Sequence, residues 1–253
     1  MNHALPRPPP PRARELVNAS TLYDALYTGG YHSDVNASRA VDLLPFVVNI
    51  AKRYHASSVL DVGCSHGWAV HKLWHDGFHA SGVDVSGVAV ALAKRTRGEP
   101  ANSCVGPCFV QASATTLPWA NRSFDIVMST DVLEHLGPTD VLLAVRELNR
   151  VATRALVLKI SRVHDRLDGA QLASVTEQVG KDVALPKDLH TTVMRPEMWH
   201  RAFQAIDPSW TLQTNPVWMK LNRKDPNHIQ YYIPGRHWTC CSFALVRDTP
   251  PAA

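Results

Sequence analysis

A chain of 253 residues is long enough for one α/β domain with a large core. Apolar residues at 45% and charged residues at 19% are ordinary globular values, which excludes a wholly disordered chain. The formal net charge of +4 tolerates an anionic partner but does not demand nucleic acid, since a solvated basic surface accounts for it.

The N-terminal "MNHALPRPPPPRARE" (residues 1–15) has no apolar run of the kind a signal peptide needs and reads as a disordered, proline-rich arm. "ELVNASTLYDALYTGGYHSD" reads as a short helix ending at Gly29-Gly30. "NASRAVDLLPFVVNIAKRY" carries apolar residues at helical spacing, with Pro45 marking an early turn or kink. These segments, residues 16–56, read as N-terminal helices or a lid. From Ser57 the pattern changes to short β-branched runs alternating with helical segments: "SVLDVG", "GWAVHKLWHDG", "HASGVDV", "GVAVALAKRTRG", "CFVQAS", "FDIVMST", "TDVLLAVRELNRVA" and "ALVLKI". Such alternation predicts a doubly wound, Rossmann-like α/β fold whose mostly parallel sheet carries helices on both faces. Ligands of that fold sit at the carboxyl ends of the strands. After Ile160 the alternation stops. Residues 161–195 read as a substrate-cap insertion within a domain spanning 57–253. A helix in "RPEMWHRAFQAI" and two strand-like runs, "WTLQTNPVWMKL" and "RHWTCCSFALVRD", then close the sheet as an antiparallel pair.

Five cysteines, Cys64, Cys104, Cys108, Cys240 and Cys241, lack a disulfide framework's spacing and read as reduced thiols of a cytoplasmic protein. No second Cys or His pair follows Cys104 and Cys108 at zinc-site spacing, so no metal site is expected. No apolar run reaches the roughly 20 residues of a membrane span. Arg146, Arg150 and Arg154 recur at helical spacing and read as a solvated face.

Chemistry concentrates in "VLDVGCSHGWAV". Gly63 and Gly67 flank the turn after the first strand, where glycine permits backbone conformations and close approach that a side chain would block. The helix that follows offers free N–H groups to an anion. Asp61 stands near the strand's end, within reach of a cationic group, and Asp84 ends the second strand, where an acid pairs with ribose hydroxyls. A nicotinamide-dependent enzyme would carry G-x-G-x-x-G, which this turn lacks.

Together with "ASGVDVSGVAVALAK", "QASATTLPWANRSFDIVMSTDVLEHL" and "ALVLKIS", this stretch resembles the successive motifs of class I S-adenosylmethionine-dependent methyltransferases, over about residues 57 to 161. The resemblance implies a seven-stranded sheet with the last strand antiparallel, and S-adenosylmethionine as cofactor. It implies that Asp61, Gly63, Ser65 and Gly67 surround the methionine part, that Asp84 holds the ribose and that Val85 packs on the adenine. Ser113 and Ala114 would meet the adenine edge, Ser113 standing where the family often has an acid. Thr130 and Asp131 would lie beside the methionine or the methyl group. Ser65 and His66 replace smaller positions of the commoner loop.

Methyl transfer from a sulfonium needs alignment and exclusion of water more than it needs a metal or a strong base. His135 in "DVLEHL" and His190 in "LHTTVMRPEMWHRAF" are the candidate catalytic bases, and Glu134 reads as structural. Tyr27, Tyr31 and His32 on the glycine-flanked "YTGGYHSD" are candidate substrate contacts on a lid. The expected activity is methylation of a heteroatom, most simply a hydroxyl oxygen, of a small molecule such as a saccharide or secondary metabolite. Two alternatives stand beside it. One is an RNA ribose 2′-O-methyltransferase, for which Asp131 and Lys159 fall where two members of a Lys-Asp-Lys-Glu set belong. The other is a catalytically inactive module that keeps the fold. Nucleic acid is thus a possible but not favoured partner, and the oligomeric state is left open.

Overall fold

The computed structural model describes residues 16–31, 43–161, 164–194, 196–212 and 242–247. Helix α1 (Ala19–Thr28) opens at Asn18, whose side chain accepts the Thr21 N–H, and ends at Gly29 as the sequence predicts. Helix α2 (Leu44–Tyr54) begins around Pro45. A first-turn N–H has no intrahelical acceptor to lose, so the proline starts this helix rather than bending it.

Strand β1 (Ser58–Val62) opens the alternating part. It is followed by α3 (Trp68–His75), β2 (His79–Asp84), α4 (Gly87–Arg97), β3 (Phe109–Gln111) and β4 (Phe124–Thr130). A 3-10 turn (Leu133–His135), α5 (Pro138–Val151) and β5 (Ala152–Lys159) come next, then α6 (Gly169–Val179), α7 (Pro196–Ile206), β6 (Thr211–Leu212) and β7 (Ser242–Val246). The seven strands lie in the order β3-β2-β1-β4-β5-β7-β6. Strands β1 to β5 run parallel to one another, and β7 runs antiparallel to both β5 and β6. The chain reverses its direction of winding between β1 and β4, and in doubly wound sheets the carboxyl ends at such a switch point are where ligands sit.

Both faces of the sheet are covered, as a doubly wound sheet requires. Leu60, Val62, Val127 and Leu156 share a core with Val141, Val145 and Leu148 of α5 and Trp199 and Phe203 of α7. Val59, Ile126, Met128 and Val157 face the other way, onto Phe46, Val47 and Ile50 of α2 and Val70 and Leu73 of α3. Alternation along β1 thus sends adjacent residues to opposite cores. A smaller cluster joins Leu22, Ala25 and Leu26 of α1 to Val175 of α6 and Leu189.

Two expectations are corrected. Cys104 and Cys108 form a disulfide. Gly106, at φ +70°, turns the chain between them and brings their Cα atoms to 5.1 Å, within bridging range. Cys64 is free and buried, and Cys240 and Cys241 lie outside the described residues. Nor do the three arginines share a solvated helical face, because α5 ends at Val151 and Arg154 falls on β5, 3.6 Å from Asp125. Arg150 forks onto both carboxylate oxygens of Glu147 (2.7 and 2.8 Å) and donates to the carbonyls of Leu117 and Trp119 (3.0 and 2.7 Å). It thereby ties the "LPW" loop to α5.

Glycine is required at position 67 on two counts. Its φ is +69°, and an added Cβ would meet the Phe109 ring at 2.5 Å and Ala93 at 3.1 Å. Gly77 has a similar φ of +85° but open space around it. Chemical denaturation should therefore show Gly77→Ala costing about 1 kcal/mol from backbone strain alone. Gly67→Ala should cost about 2–4 kcal/mol, as steric overlap is added to that strain.

Candidate functional site

The turn after β1 is built from left-handed backbone. Gly63 has φ +81°, and an added Cβ would lie 2.1 Å from Val132 Cγ2. Ser65, in the middle of the turn, itself has φ +50°, so the glycine-like conformation is kept without glycine. The N–H groups of Gly63 and Cys64 both donate to the Val83 carbonyl (2.7 and 3.0 Å), which clamps the turn to β2. His66 turns inward and is buried, its ring 5.1 Å from that of Tyr27. Its backbone carbonyl accepts from Arg97 Nε at 3.3 Å.

Two buried carboxylates lie against this turn. Asp84 accepts the Ser65 N–H (2.8 Å) on one oxygen and the Ser86 N–H (2.9 Å) on the other. Burial nevertheless pushes its carboxyl up to about 6. Asp61 is more exposed to the problem of burial. Both of its oxygens are buried without a hydrogen-bond partner among the described residues, and burial, with Asp84 adding repulsion, pushes it up to about 7. An ionised carboxylate so placed is costly unless a cationic or hydrogen-bond-donating group arrives. This orphaned acid beside an open-backboned turn is what the ammonium and sulfonium of S-adenosylmethionine would complement. The Thr130 hydroxyl, at the end of β4, is likewise buried without a partner among the described residues.

The other predicted cofactor contacts fall around the same edge. The Asp84 carbonyl accepts the Ala112 N–H at 3.0 Å, which brings the end of β3 alongside. Ser113 there bonds Thr115 through its hydroxyl (2.7 Å) and accepts the Thr115 N–H (3.2 Å), so its side chain orders its own loop. Ala114 is buried and Val85 half-buried. Asp131, at φ +53°, donates its N–H to the Lys159 carbonyl (2.8 Å), and its carboxylate stands 3.9 Å from Lys159 Nζ.

Helix α1 spans this edge. Asp24 accepts from the Ser86 hydroxyl (2.6 Å) and the Val88 N–H (3.1 Å), fixing α1 to the start of α4. Tyr27 is half-buried against His66 and hydrogen-bonds the Ser65 side chain, and desolvation raises its phenol well above the ordinary value. Tyr31 packs 6.0 Å from the Tyr27 ring, and His32 lies outside the described residues. Tyr23 reaches the loop after β4, where its hydroxyl lies 2.8 Å from His135 Nδ1. The same nitrogen is 3.2 Å from the Leu189 carbonyl. The rings of His135 and His190, 55 positions apart by number, meet edge to face at 4.5 Å. Glu134 is fully buried. Its Oε1 accepts the Ser161 N–H at 2.5 Å, and burial with repulsion from Asp131 pushes its carboxyl up to about 8. Tyr23 and Asp24 were missed as site residues, although Tyr23 and Tyr27 stand one helical turn apart on one face.

The Asp61 environment carries a sign that can be checked. Its folded-state value of about 7 exceeds the ordinary 3.8, so its ionisation costs the fold stability as pH rises between those values. Without cofactor, Asp61→Asn should raise stability by on the order of 1 kcal/mol near pH 8. The gain should shrink toward about pH 5, as denaturation at the two pH values will show.

Residues 60–155 match the family model of a methyltransferase domain. An uncharacterized methyltransferase of Mycolicibacterium gilvum is 38% identical over 81 residues, which is 32% of this chain and 29% of that protein. The match therefore spans less than a third of that relative's length. Among solved structures, a protein of Pyrococcus horikoshii aligns with a TM-score of 0.56 at 14% identity, covering 87% of this chain and 97% of that one. The 1,6-didemethyltoxoflavin-N1-methyltransferase of Burkholderia thailandensis aligns with a TM-score of 0.53 at 16% identity, covering 93% of each chain. At these identities the likeness to the solved structures is one of fold. Family match and fold agree: residues 60–155 match a methyltransferase domain, and the seven-stranded sheet around them has a Rossmann-like methyltransferase order.

Proposed function

We propose that this protein transfers the methyl group of S-adenosylmethionine to a heteroatom, in the first instance a hydroxyl oxygen, of a small-molecule acceptor such as a saccharide or secondary metabolite. The observation that carries the transfer reading is the buried, unpartnered Asp61 carboxylate beneath the Gly63–Gly67 turn. When bound, the cofactor supplies a methyl group already activated on a sulfonium. Asp61 and the backbone of Gly63, Ser65 and Gly67 hold its charged methionine end. Each Asp84 oxygen already takes one N–H and keeps lone-pair capacity for the ribose hydroxyls. Val85, Ser113 and Ala114 flank the adenine, and Thr130 and Asp131 stand beside the reacting methyl.

The acceptor side is the group Tyr23, His135 and His190, which offers imidazole nitrogens and a phenol toward the same edge. Tyr27 and Tyr31 close α1 over the cofactor and exclude water. Residues 16–56 and 161–195 together serve as the lid and cap, consistent with the packing of α1 on α6. A small acceptor is supported by that covering and by structural neighbours whose names give small acceptors, such as the toxoflavin precursor. One observation favours a second reading: Asp131 and Lys159 lie 3.9 Å apart, as a ribose 2′-hydroxyl acceptor would use them.

A methyl-donor activity screen across metabolite, saccharide and RNA pools tests the acceptor class. Turnover confined to RNA and collapsing steeply with salt would overturn the small-molecule assignment. Asp84→Ala should weaken cofactor binding by about one to two orders of magnitude in calorimetry, through loss of charge-assisted bonds. Unchanged affinity would remove Asp84 from the ribose. His135→Gln should leave cofactor affinity intact while lowering kcat by roughly a hundredfold or more, and an unchanged kcat would make this histidine a packing residue.

A further inference from the structure

Glu134, His135 and His190 each place one potential ligand atom within 4.8 Å of the other two. We infer that these three side chains form a binding site for a single divalent first-row transition cation at the carboxyl edge of the sheet, beyond β4.

The backbone builds this juxtaposition firmly. Glu134 and His135 are consecutive in the 3-10 turn, and the segment carrying His190 is laced to that turn. The Thr192 N–H donates to the Glu134 carbonyl (2.9 Å), the Thr191 hydroxyl to the His135 carbonyl (3.1 Å) and the Thr192 hydroxyl to the Leu136 carbonyl (2.5 Å). Asp188 accepts the His190 N–H at 3.0 Å and fixes the approach of that residue. Nδ1 of His135 is held by the Tyr23 hydroxyl and the Leu189 carbonyl, which fixes the orientation of the ring. A ligating histidine is commonly oriented by such a bond from its other ring nitrogen.

A second, independent observation points to a cation. Glu134 is fully buried, and while Oε1 serves Ser161, Oε2 has no hydrogen-bond partner among the described residues. A buried carboxylate oxygen left in this way is satisfied by a metal as well as by a proton. Two imidazoles and one carboxylate suit Mn²⁺, Fe²⁺, Co²⁺ or Zn²⁺ better than the all-oxygen preference of Mg²⁺ or Ca²⁺. Three protein ligands leave positions for exogenous oxygen.

The role of the cation rests on the methyl-transfer reading above. An acceptor hydroxyl bound to it gives up its proton to solvent water. The oxygen lone pair then forms the bond to the methyl carbon as the carbon–sulfur bond breaks, and the electron pair of the broken carbon–sulfur bond stays on sulfur. The two histidines would thus prepare the acceptor through the cation rather than by taking the proton themselves.

The test is titration of the chelator-treated full chain with Co²⁺, followed by visible absorption and calorimetry, with S-adenosylmethionine titrated separately. The inference predicts one Co²⁺ per chain, weakened by at least about tenfold in both His190→Ala and Glu134→Gln, with cofactor affinity unchanged. Glu134→Gln keeps the Oε1 acceptor for Ser161 and so separates loss of charge from loss of fold. His71 and His75 on α3, whose rings are 4.6 Å apart, are the competing chelate, and His75→Ala should leave Co²⁺ binding intact. Equal Co²⁺ binding by wild type and His190→Ala, or loss of binding only in His75→Ala, would overturn the site and leave the histidine pair as edge-to-face packing. Absence of cofactor binding alone would overturn the methyl-transfer reading and leave the cation site standing.

Discussion

Negative charge buried at the carboxyl ends of parallel strands is the constraint on which the rest of this molecule turns. Asp61 on β1, Asp84 on β2 and Glu134 after β4 are all buried, and burial pushes their carboxyls up to about 7, 6 and 8. A stability-optimised fold would not gather three carboxylates in one place with so few donors to receive them. The reversal of winding between β1 and β4 puts them at the edge of the sheet where ligands of this fold sit, so that a ligand can supply what the protein withholds. Asp61 calls for positive charge near the turn, and Glu134 calls for a proton or a cation farther along. On the function proposed above, the two demands divide the edge into a cofactor end and an acceptor end.

Helix α1 couples those ends. Asp24 fixes it to the start of α4, Tyr27 seals it against Ser65 and His66, and Tyr23 reaches His135 beyond β4. Asp24 and Tyr23 lie three and four positions before Tyr27, so a ten-residue helix touches the turn after β1 and His135 together. Displacement of α1 would open both at once. On the function proposed above, such a lid would link exclusion of water over the methyl group to the ordering of the His135 and His190 imidazoles.

The parallel sheet was readable in the sequence because β1, β4 and β5 are buried on both faces and so appear as short apolar runs between helical segments. Asp84 stood out in the sequence as an acid ending the second strand beside a glycine turn, and the structure buries it there with the Ser65 and Ser86 N–H groups on its oxygens. The substitution of Ser65 for a glycine looked like a departure, yet serine holds φ +50° and the turn keeps its shape. What escaped the sequence depends on distance in the chain. The Tyr23–His135 bond, the approach of His190 to Glu134 and the inward turn of His66 each need the fold before they exist. The Cys104–Cys108 bridge escaped for a local reason, since its closeness comes from the backbone bend at Gly106 rather than from any spacing rule.

The central claim is that the buried acids of β1 and β2 wait for a cationic cofactor, and proton-linked calorimetry tests it most directly. S-adenosylmethionine would be titrated into the full chain at about pH 6 and about pH 8, in buffers of differing ionisation enthalpy. The account predicts saturable binding that tightens as pH rises, with net proton release near pH 6 as the cofactor's positive charge draws Asp61 and Asp84 back toward ordinary carboxylate values. No binding heat at either pH, or proton uptake on binding, would contradict it.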